Sequence, residues 1–357
     1  MQNKLTLIVD GNWFLMSRMF VISDRFDKTL PKTVLEASQL ELQEMLARSI
    51  SLMLNRNHVI DNLIIVADGG SWRKELPIPE QLEDITYKGN RDMEDKLDWD
   101  CILDAFSQFL ECAKEQGITV SRGNNIEGDD WAWYWSRRLN EDGINTIIWT
   151  SDCDLKQLVQ VHNRAFTAWY NDRAGLTLPN ECAVPDDPLD FFMNPPFNND
   201  ILQELILKLY PVTYINPDEI AINKILCGDA GDNIKSVIRY KKNNRTYRFA
   251  PKDYEKLVNE VGLETMDEFL KKSNKVAKNI TSNPKFEKYK FKLKDIKEML
   301  EYNTKLVWLN EQVIPTTIIT QMAVEKYNQI DVKDIRLNYS LLTPKKLDIS
   351  SIFEDAK

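Results

Sequence analysis

Three segments of the chain, "LTLIVD", "NLIIVAD" and "NTIIWTSD", share one design: an apolar, β-branched run that ends in an aspartate. The acids are Asp10, Asp68 and Asp152. Runs this apolar on both faces suit strands of a parallel sheet covered by helices on each side. In an open sheet of that kind ligands bind outside the carboxyl ends of the strands. Three carboxylates at that one edge repel each other, a poor use of charge unless a cation collects them.

The intervening segments agree. Residues 33–55 carry apolar positions at helical spacing, as do residues 98–116 and 128–141, and "GITVSRG" reads as a short strand. Alternation of strand and helix predicts an α/β fold, a parallel sheet flanked by helices. "RAFTAWYNDRAGLTLPN" reads as a hairpin. Residues 183–200, rich in Pro, Asn and Asp, mark a boundary, and helical patterns dominate from Ile201. The expected division is an α/β domain over 1–185 and a helical domain over 186–357. Residues 71–98, charged and carrying Pro77 and Pro79, read as a connection or an exposed helical segment.

More acids accompany the first three. "NNIEGDDWAWYWSRRL" supplies Glu127, Asp129 and Asp130, followed at once by Trp131, Trp133, Tyr134 and Trp135. Acids suit a helix N-terminus, where unpaired N–H groups favour negative charge, so capping alone would explain one such group. "TSDCDL" adds Asp154, and "CGDAGDNI" adds Asp229 and Asp232 at the i, i+3 spacing that lets both face one way on a helix. Nine carboxylates in one pocket call for two divalent cations, the arrangement that clamps both oxygens of a phosphoryl displacement. Trp131 and Trp135, one turn apart, are expected in the core, holding the acids still.

Composition narrows the metal. The chain has two histidines, His58 in a polar turn and His162 near the end of a helical pattern, and five scattered cysteines with no C-x-x-C pair. Zinc sites and disulfide frameworks are therefore not expected. Carboxylate ligands suit Mg²⁺, with Mn²⁺ able to substitute. The net charge of −9 hides an asymmetry: residues 235–297 carry 18 Lys/Arg against 8 Asp/Glu. A basic region beside an acid-rich remainder fits phosphate-backbone binding next to a cation site, although a solvated lysine surface gives the same count.

Taken in order, "VDGN", "VAD", "YKGNR", "EGDD", "TSDCDL" and "GDAGDNI" resemble the flap endonuclease and 5′→3′ exonuclease family, which has a PIN-like fold. "SWRK", "YKGNR" and "DWD" bring the chain nearest to the bacteriophage ribonuclease H branch. The resemblance covers roughly residues 5 to 240. It implies one metal on Asp10, Asp68 and the Glu127–Asp129–Asp130 group, and a second on Asp152, Asp154, Asp229 and Asp232. It implies a helical arch over residues 71–98, with Lys88 and Arg91 approaching the scissile phosphate and Tyr87 stacking on a base. Arg73 and Lys74 would contact phosphate. The family's glycine-rich hairpin after the last acids is missing: "NIKSVIRYKKNNRTYRF" holds no glycine. A potassium site is therefore in doubt, and Lys235, Arg239, Lys241, Lys242, Arg245 and Arg248 would contact duplex DNA instead.

By that resemblance the activity is a metal-dependent, structure-selective 5′ nuclease with ribonuclease H activity. It would act in replication on DNA and RNA/DNA hybrids with 5′ single-stranded ends, as a monomer. Ile352 and Phe353 in the C-terminal "LDISSIFEDAK" resemble a peptide for a sliding clamp or a single-strand-binding protein, and equally an ordinary packed tail. No apolar run approaches the roughly 20 residues that span a bilayer, and the N-terminus does not read as a signal peptide. A cytoplasmic setting is expected, that of a bacterial host if the chain is phage-encoded. A haloacid-dehalogenase-like phosphatase would need an acid where Asn12 stands. A silent DNA-binding protein of the same fold would keep buried acids to no purpose. A PIN-type ribonuclease lacks the "YKGNR" segment, and P-loop chemistry lacks its motif.

Overall fold

The computed structural model describes residues 4–82, 85–89, 96–183, 199–242, 245–287 and 291–344. Arg91, Ile352 and Phe353 lie outside them. Among the described residues the main sheet has eight strands. They are β1 (Leu5–Asp10), β2 (Asn62–Val66), β3 (Thr119–Ser121), β4 (Asn145–Trp149), β5 (Gln160–His162), β6 (Ala165–Asn171), β7 (Gly175–Pro179) and β8 (Val212–Ile215). The spatial order is β3-β2-β1-β4-β6-β7-β8, with β5 paired to β6. Pairing is parallel throughout except where β6 meets β5 and β7. Because β1 sits between β2 and β4, the three segments that end in aspartate are neighbours in space as well as alike in sequence.

Both faces of the sheet are covered, which is why its strands are continuously apolar. Alternation sends Leu7 and Val9 to one layer and Ile8 to the other. The first layer is built by α1 (Gly11–Met19), α2 (Lys32–Arg56) and α3 (Trp99–Glu115). A short helix, α5 (Asn199–Lys208), adds Ile201, Leu202 and Leu205 to it. The second layer rests on α4 (Gly128–Glu141). Trp131 and Trp135 are buried there as expected, and Trp135 donates its indole N–H to Ser121 Oγ at 2.8 Å. The turn from β1 into α1 needs Gly11, since a Cβ there would lie 2.7 Å from the Val66 carbonyl oxygen.

The helical layer forms a separate core. It centres on α6 (Pro217–Cys227), against which the helices Pro251–Val261 and Leu293–Val307 pack, and the helix Ser273–Ser282 packs in turn on those two. The sheet and its helices extend past the expected boundary at 185/186, because α5 and β8 belong to the α/β layer. The chain also returns to that layer after Val307. Leu309, Ile314, Ile318 and Met322 pack on the α4 side, and Val332, Ile335 and Leu342 on the other. Between them the backbone crosses the amino ends of the strands: Tyr327 Oη lies 3.1 Å from Thr6 Oγ1, and Asn328 N–H donates to Thr119 Oγ1. An apolar period shows that a helix has a buried face but not which layer receives it.

Three local expectations change. His162 ends strand β5, not a helix, because residues 153–158 form only 3₁₀ turns before the chain pairs with β6. The basic stretch after Ile238 is no helix either: β9 (Arg239–Lys242) and β10 (Arg245–Arg248) form an antiparallel hairpin. Its R-Y-K-K and R-T-Y-R runs carry β-favouring aromatic and β-branched residues without an apolar helical stripe. Among the described residues of 71–98, the arch region holds no α-helix before Trp99, only 3₁₀ turns at Trp72–Glu75 and Glu80–Leu82. No helix among the described residues is long and apolar enough to cross a membrane. Replacing Trp135 by Ala is expected to cost ~3–5 kcal/mol, read as a lowered denaturant midpoint at unchanged slope.

Candidate active site

β1 ends in Asp10, β2 is followed two residues later by Asp68, and β4 three residues later by Asp152. With Asp129, on the first turn of α4, they line a cavity of about 840 Å³ that also includes Asn12, Trp13, Trp99 and Lys88. Asp10 and Asp68 are each held by their own partners. Asp10 Oδ2 accepts from Thr150 Oγ1 at 2.7 Å, and the same hydroxyl accepts from Asp152 N–H. Asp68 Oδ1 accepts from Gly128 N–H at 2.6 Å, capping α4 from another strand. Asn12 and Asp68 exchange two bonds, side chain to side chain and side chain to backbone, each at 2.9 Å. Asn12, Thr150 and Gly128 thus aim the carboxylates. All three stand beside an acid in the motifs, but only packing shows what they do.

The charge in this cavity is unbalanced. Burial, with Asp152 and Asp68 adding repulsion, pushes the Asp10 carboxyl up to about 6. Burial and the neighbouring Asp152 push Asp129 well up too, against the pull of Lys88. Carboxylates that resist ionising without a counter-charge are what a hard divalent cation stabilises, so the donor set fits Mg²⁺ or Mn²⁺.

Glu127 and Asp130 stand apart. Arg73 is buried, donating to Asp130 Oδ1 from Nη2 at 2.8 Å and to Glu127 Oε2 from Nη1 at 2.8 Å. Its Nε reaches the Leu306 carbonyl in the helical layer at 3.1 Å, and Trp72 Nε1 donates to Asp130 at 3.0 Å. Burial alone would raise the Glu127 carboxyl, but Arg73 and Lys88 more than offset it and hold it below its usual range. Arg73 is therefore a buried counter-ion and not the expected surface contact to phosphate. The expectation of Tyr87 as a stacking platform also changes. Its ring is buried in the helical core, with its hydroxyl 3.4 Å from Glu127. Both residues read as exposed in sequence because their segment is charged, while their partners lie 40 or more positions away.

Lys88 pairs with Glu127 and lines the cavity. It sits in a left-handed turn, φ 55°, with its N–H donating to the Asp232 carbonyl at 2.8 Å. Lys74 is exposed. Arg239 and Arg248 are exposed on the hairpin whose backbone also carries Lys241, Lys242 and Arg245.

The remaining acids make a second group. Asp154, Asp229 and Asp232 each offer a carboxylate oxygen, all within 4.8 Å of one another. Asp229 and Asp232 do not share a helix face. Gly228 ends α6 at φ 76°, and Asp229 and Ile234 exchange backbone bonds of 2.8 and 2.7 Å across a tight loop. Asp152, expected with this group, instead lines the first cavity. Lys224, which the motifs did not single out, lies inside the second group.

No family model and no curated protein matches this sequence. The fold and the acid-lined edge define a mostly parallel α/β architecture with a helical layer closing one side of the site. Solved structures share that fold. The bacteriophage T5 5′-exonuclease with bound zinc aligns with a TM-score of 0.52 and 16% identity, over 94% of this chain and 100% of that one. The T5 D15 protein co-crystallised with metal ions gives 0.50 and 15%, over 99% and 100%. The T5 D15 flap endonuclease, in a pseudo-enzyme–product complex with DNA and metal ions, gives 0.51 and 15%, over 94% and 100%.

Two measurements test this site. Arg73→Ala should destabilise the chain by ~3–5 kcal/mol, because it leaves Asp130 buried and unpaired. An unchanged Tm together with weakened DNA binding would restore the phosphate-contact assignment. The second concerns pH. The stability contributed by protonated Asp10 is complete below the ordinary value of 3.8 and lost as pH rises through about 6. Mg²⁺ or Mn²⁺ should therefore raise Tm more at about pH 7.5 than at about pH 5, where a proton competes for the site. Equal shifts at both would remove Asp10 from the cation site.

Proposed function

We propose that this chain is a divalent-metal-dependent, structure-selective 5′ nuclease. It cuts phosphodiesters by hydrolysis near the junction of a 5′ single strand and a duplex, as exonuclease and flap endonuclease. The observation that carries the reading is the gathering of Asp10, Asp68, Asp129 and Asp152 in one cavity with Lys88, beside the separate group Asp154, Asp229 and Asp232. The fold shared with the bacteriophage T5 5′-exonuclease and flap endonuclease structures supports it. So does Asn12, which is locked to Asp68 and offers no second acid for a phosphatase nucleophile.

Mg²⁺, with Mn²⁺ as a substitute, would be held by these carboxylates, supplying charge neutralisation and an activated water for in-line displacement at phosphorus. The chain's own residues do the rest. Thr150, Asn12 and Gly128 N–H fix the directions of Asp10 and Asp68. Lys88, mounted on a turn tied to the Asp232 backbone, brings a fixed positive charge to the cavity, where charge develops on the transferring phosphoryl group. Arg91 joins Lys88 in this role. Trp13, Met16, Phe20 and Leu103 give the cavity an apolar wall suited to a sugar or base face. Lys74, Lys235, Arg239, Lys241, Lys242 and Arg245 hold the backbone of the duplex. The setting is replication, with removal of RNA primers from RNA/DNA hybrids. The protein acts as a monomer.

The test uses 5′-labelled flap, nicked and RNA-primed substrates with Mg²⁺ and with EDTA. Asp152→Asn should abolish cleavage while retaining DNA binding, and Lys88→Ala should lower the single-turnover rate by ~10²-fold or more. Cleavage in EDTA, or a normal rate in Asp152→Asn, would end the proposal.

A further inference from the structure

Lys224 stands in the last turn of α6, five residues before Asp229, with its side chain only 11% exposed. Its ammonium is bonded to an Asp154 carboxylate oxygen, lies 2.6 Å from Asp229 Oδ2 and 3.9 Å from Asp232 Oδ2. Those are the three acids whose oxygens lie within 4.8 Å of one another. The chain thus places a positive charge of its own inside the carboxylate group best shaped for a cation. The two acid groups are unequal for that reason. In the first, the nearby lysine, Lys88, is bonded to Glu127 at the cavity's edge. In the second, Lys224 itself reaches all three acids.

We propose that Lys224 is a tethered competitor for the second cation position, a positioning residue that keeps the Asp154–Asp229–Asp232 group closed until a divalent ion displaces its ammonium. The proposal rests on the metal-dependent nuclease reading and adds an order of loading. An ammonium and a divalent ion cannot share oxygens this close, since like charges a few ångströms apart in a partly buried site repel strongly. The first group therefore loads first. The second loads only when the lysine leaves, at higher ion concentration or when substrate phosphate gives the ammonium another partner. The tight geometry makes this a swing of one side chain. Asp229 and Ile234 are cross-bonded, and a Cβ at Gly228 would meet Ser236 N at 2.5 Å, so the loop itself has little room to move.

The experiment is a Mn²⁺ titration of the full chain, with free ion followed by electron paramagnetic resonance. Wild type should bind one ion tightly and a second weakly. Lys224→Met and Lys224→Gln should tighten the second by about tenfold or more and leave the first unchanged. Unaltered second-ion affinity in both folded variants overturns the proposal while sparing the metal site. If neither wild type nor variants bind Mn²⁺, the nuclease reading falls with it. A measurement on wild type stands independently of variant folding. Lys224 should acetylate slowly without divalent ions and faster as Mn²⁺ is raised to saturation, read by peptide mass spectrometry. A rate indifferent to Mn²⁺ overturns the displacement.

Discussion

The mutual repulsion of carboxylates gathered at one edge of a parallel sheet is the constraint around which the rest of this molecule is arranged. A sheet places the ends of adjacent strands about 5 Å apart, so Asp10, Asp68 and Asp152 cannot avoid one another once β2, β1 and β4 pair. The fold meets this charge in three ways. Hydroxyl and amide donors at Thr150, Asn12 and Gly128 stabilise and orient individual acids. Buried Arg73 neutralises Glu127 and Asp130. Lysines on separate elements, Lys88 and Lys224, complete the balance from the helical side.

The helical layer is therefore part of the site and not an appendage. Arg73 reaches the Leu306 carbonyl, Asn233 donates to the Thr86 carbonyl, and Lys88 N–H donates to Asp232. Leu82 and Tyr87 bury themselves among the helices around α6. A segment that enters the site from the α/β layer is thus packed on the helical one, and the two layers fix the distance between the acid groups together. The return of the chain across the amino ends of the strands ties them again at the opposite edge.

Much of this was legible from periodicity. Strands β1 to β4, the β6–β7 hairpin, helices α2, α3 and α4 and the burial of Trp131 and Trp135 follow from continuous apolar runs and from apolar spacing of period 3.6, which are local properties. The misread elements were those whose pattern is short or polar: β5 after a 3₁₀ turn, the β9–β10 hairpin in a basic run, and the loop carrying Asp229 and Asp232. There, strand pairing or a glycine at positive φ overrode spacing. Arg73 and Tyr87 were read as surface residues because charged neighbours surround them, yet both are buried.

By itself the sequence determined that acids would collect at the carboxyl edge of a parallel sheet, since each closes a strand whose partners are set by hydrophobic pattern. It also determined that their ligand chemistry would be oxygen alone. Which acids a basic side chain reaches was decided only by tertiary structure. Arg73 meets Asp130 across 57 positions, Lys88 meets Glu127 across 39, and Lys224 meets Asp154 across 70. No local pattern encodes such pairs. They exist because two packed layers bring particular side chains together where burial makes an unpaired charge costly, and that cost sorts nine similar carboxylates into those a buried arginine or lysine reaches and those that line the cavity.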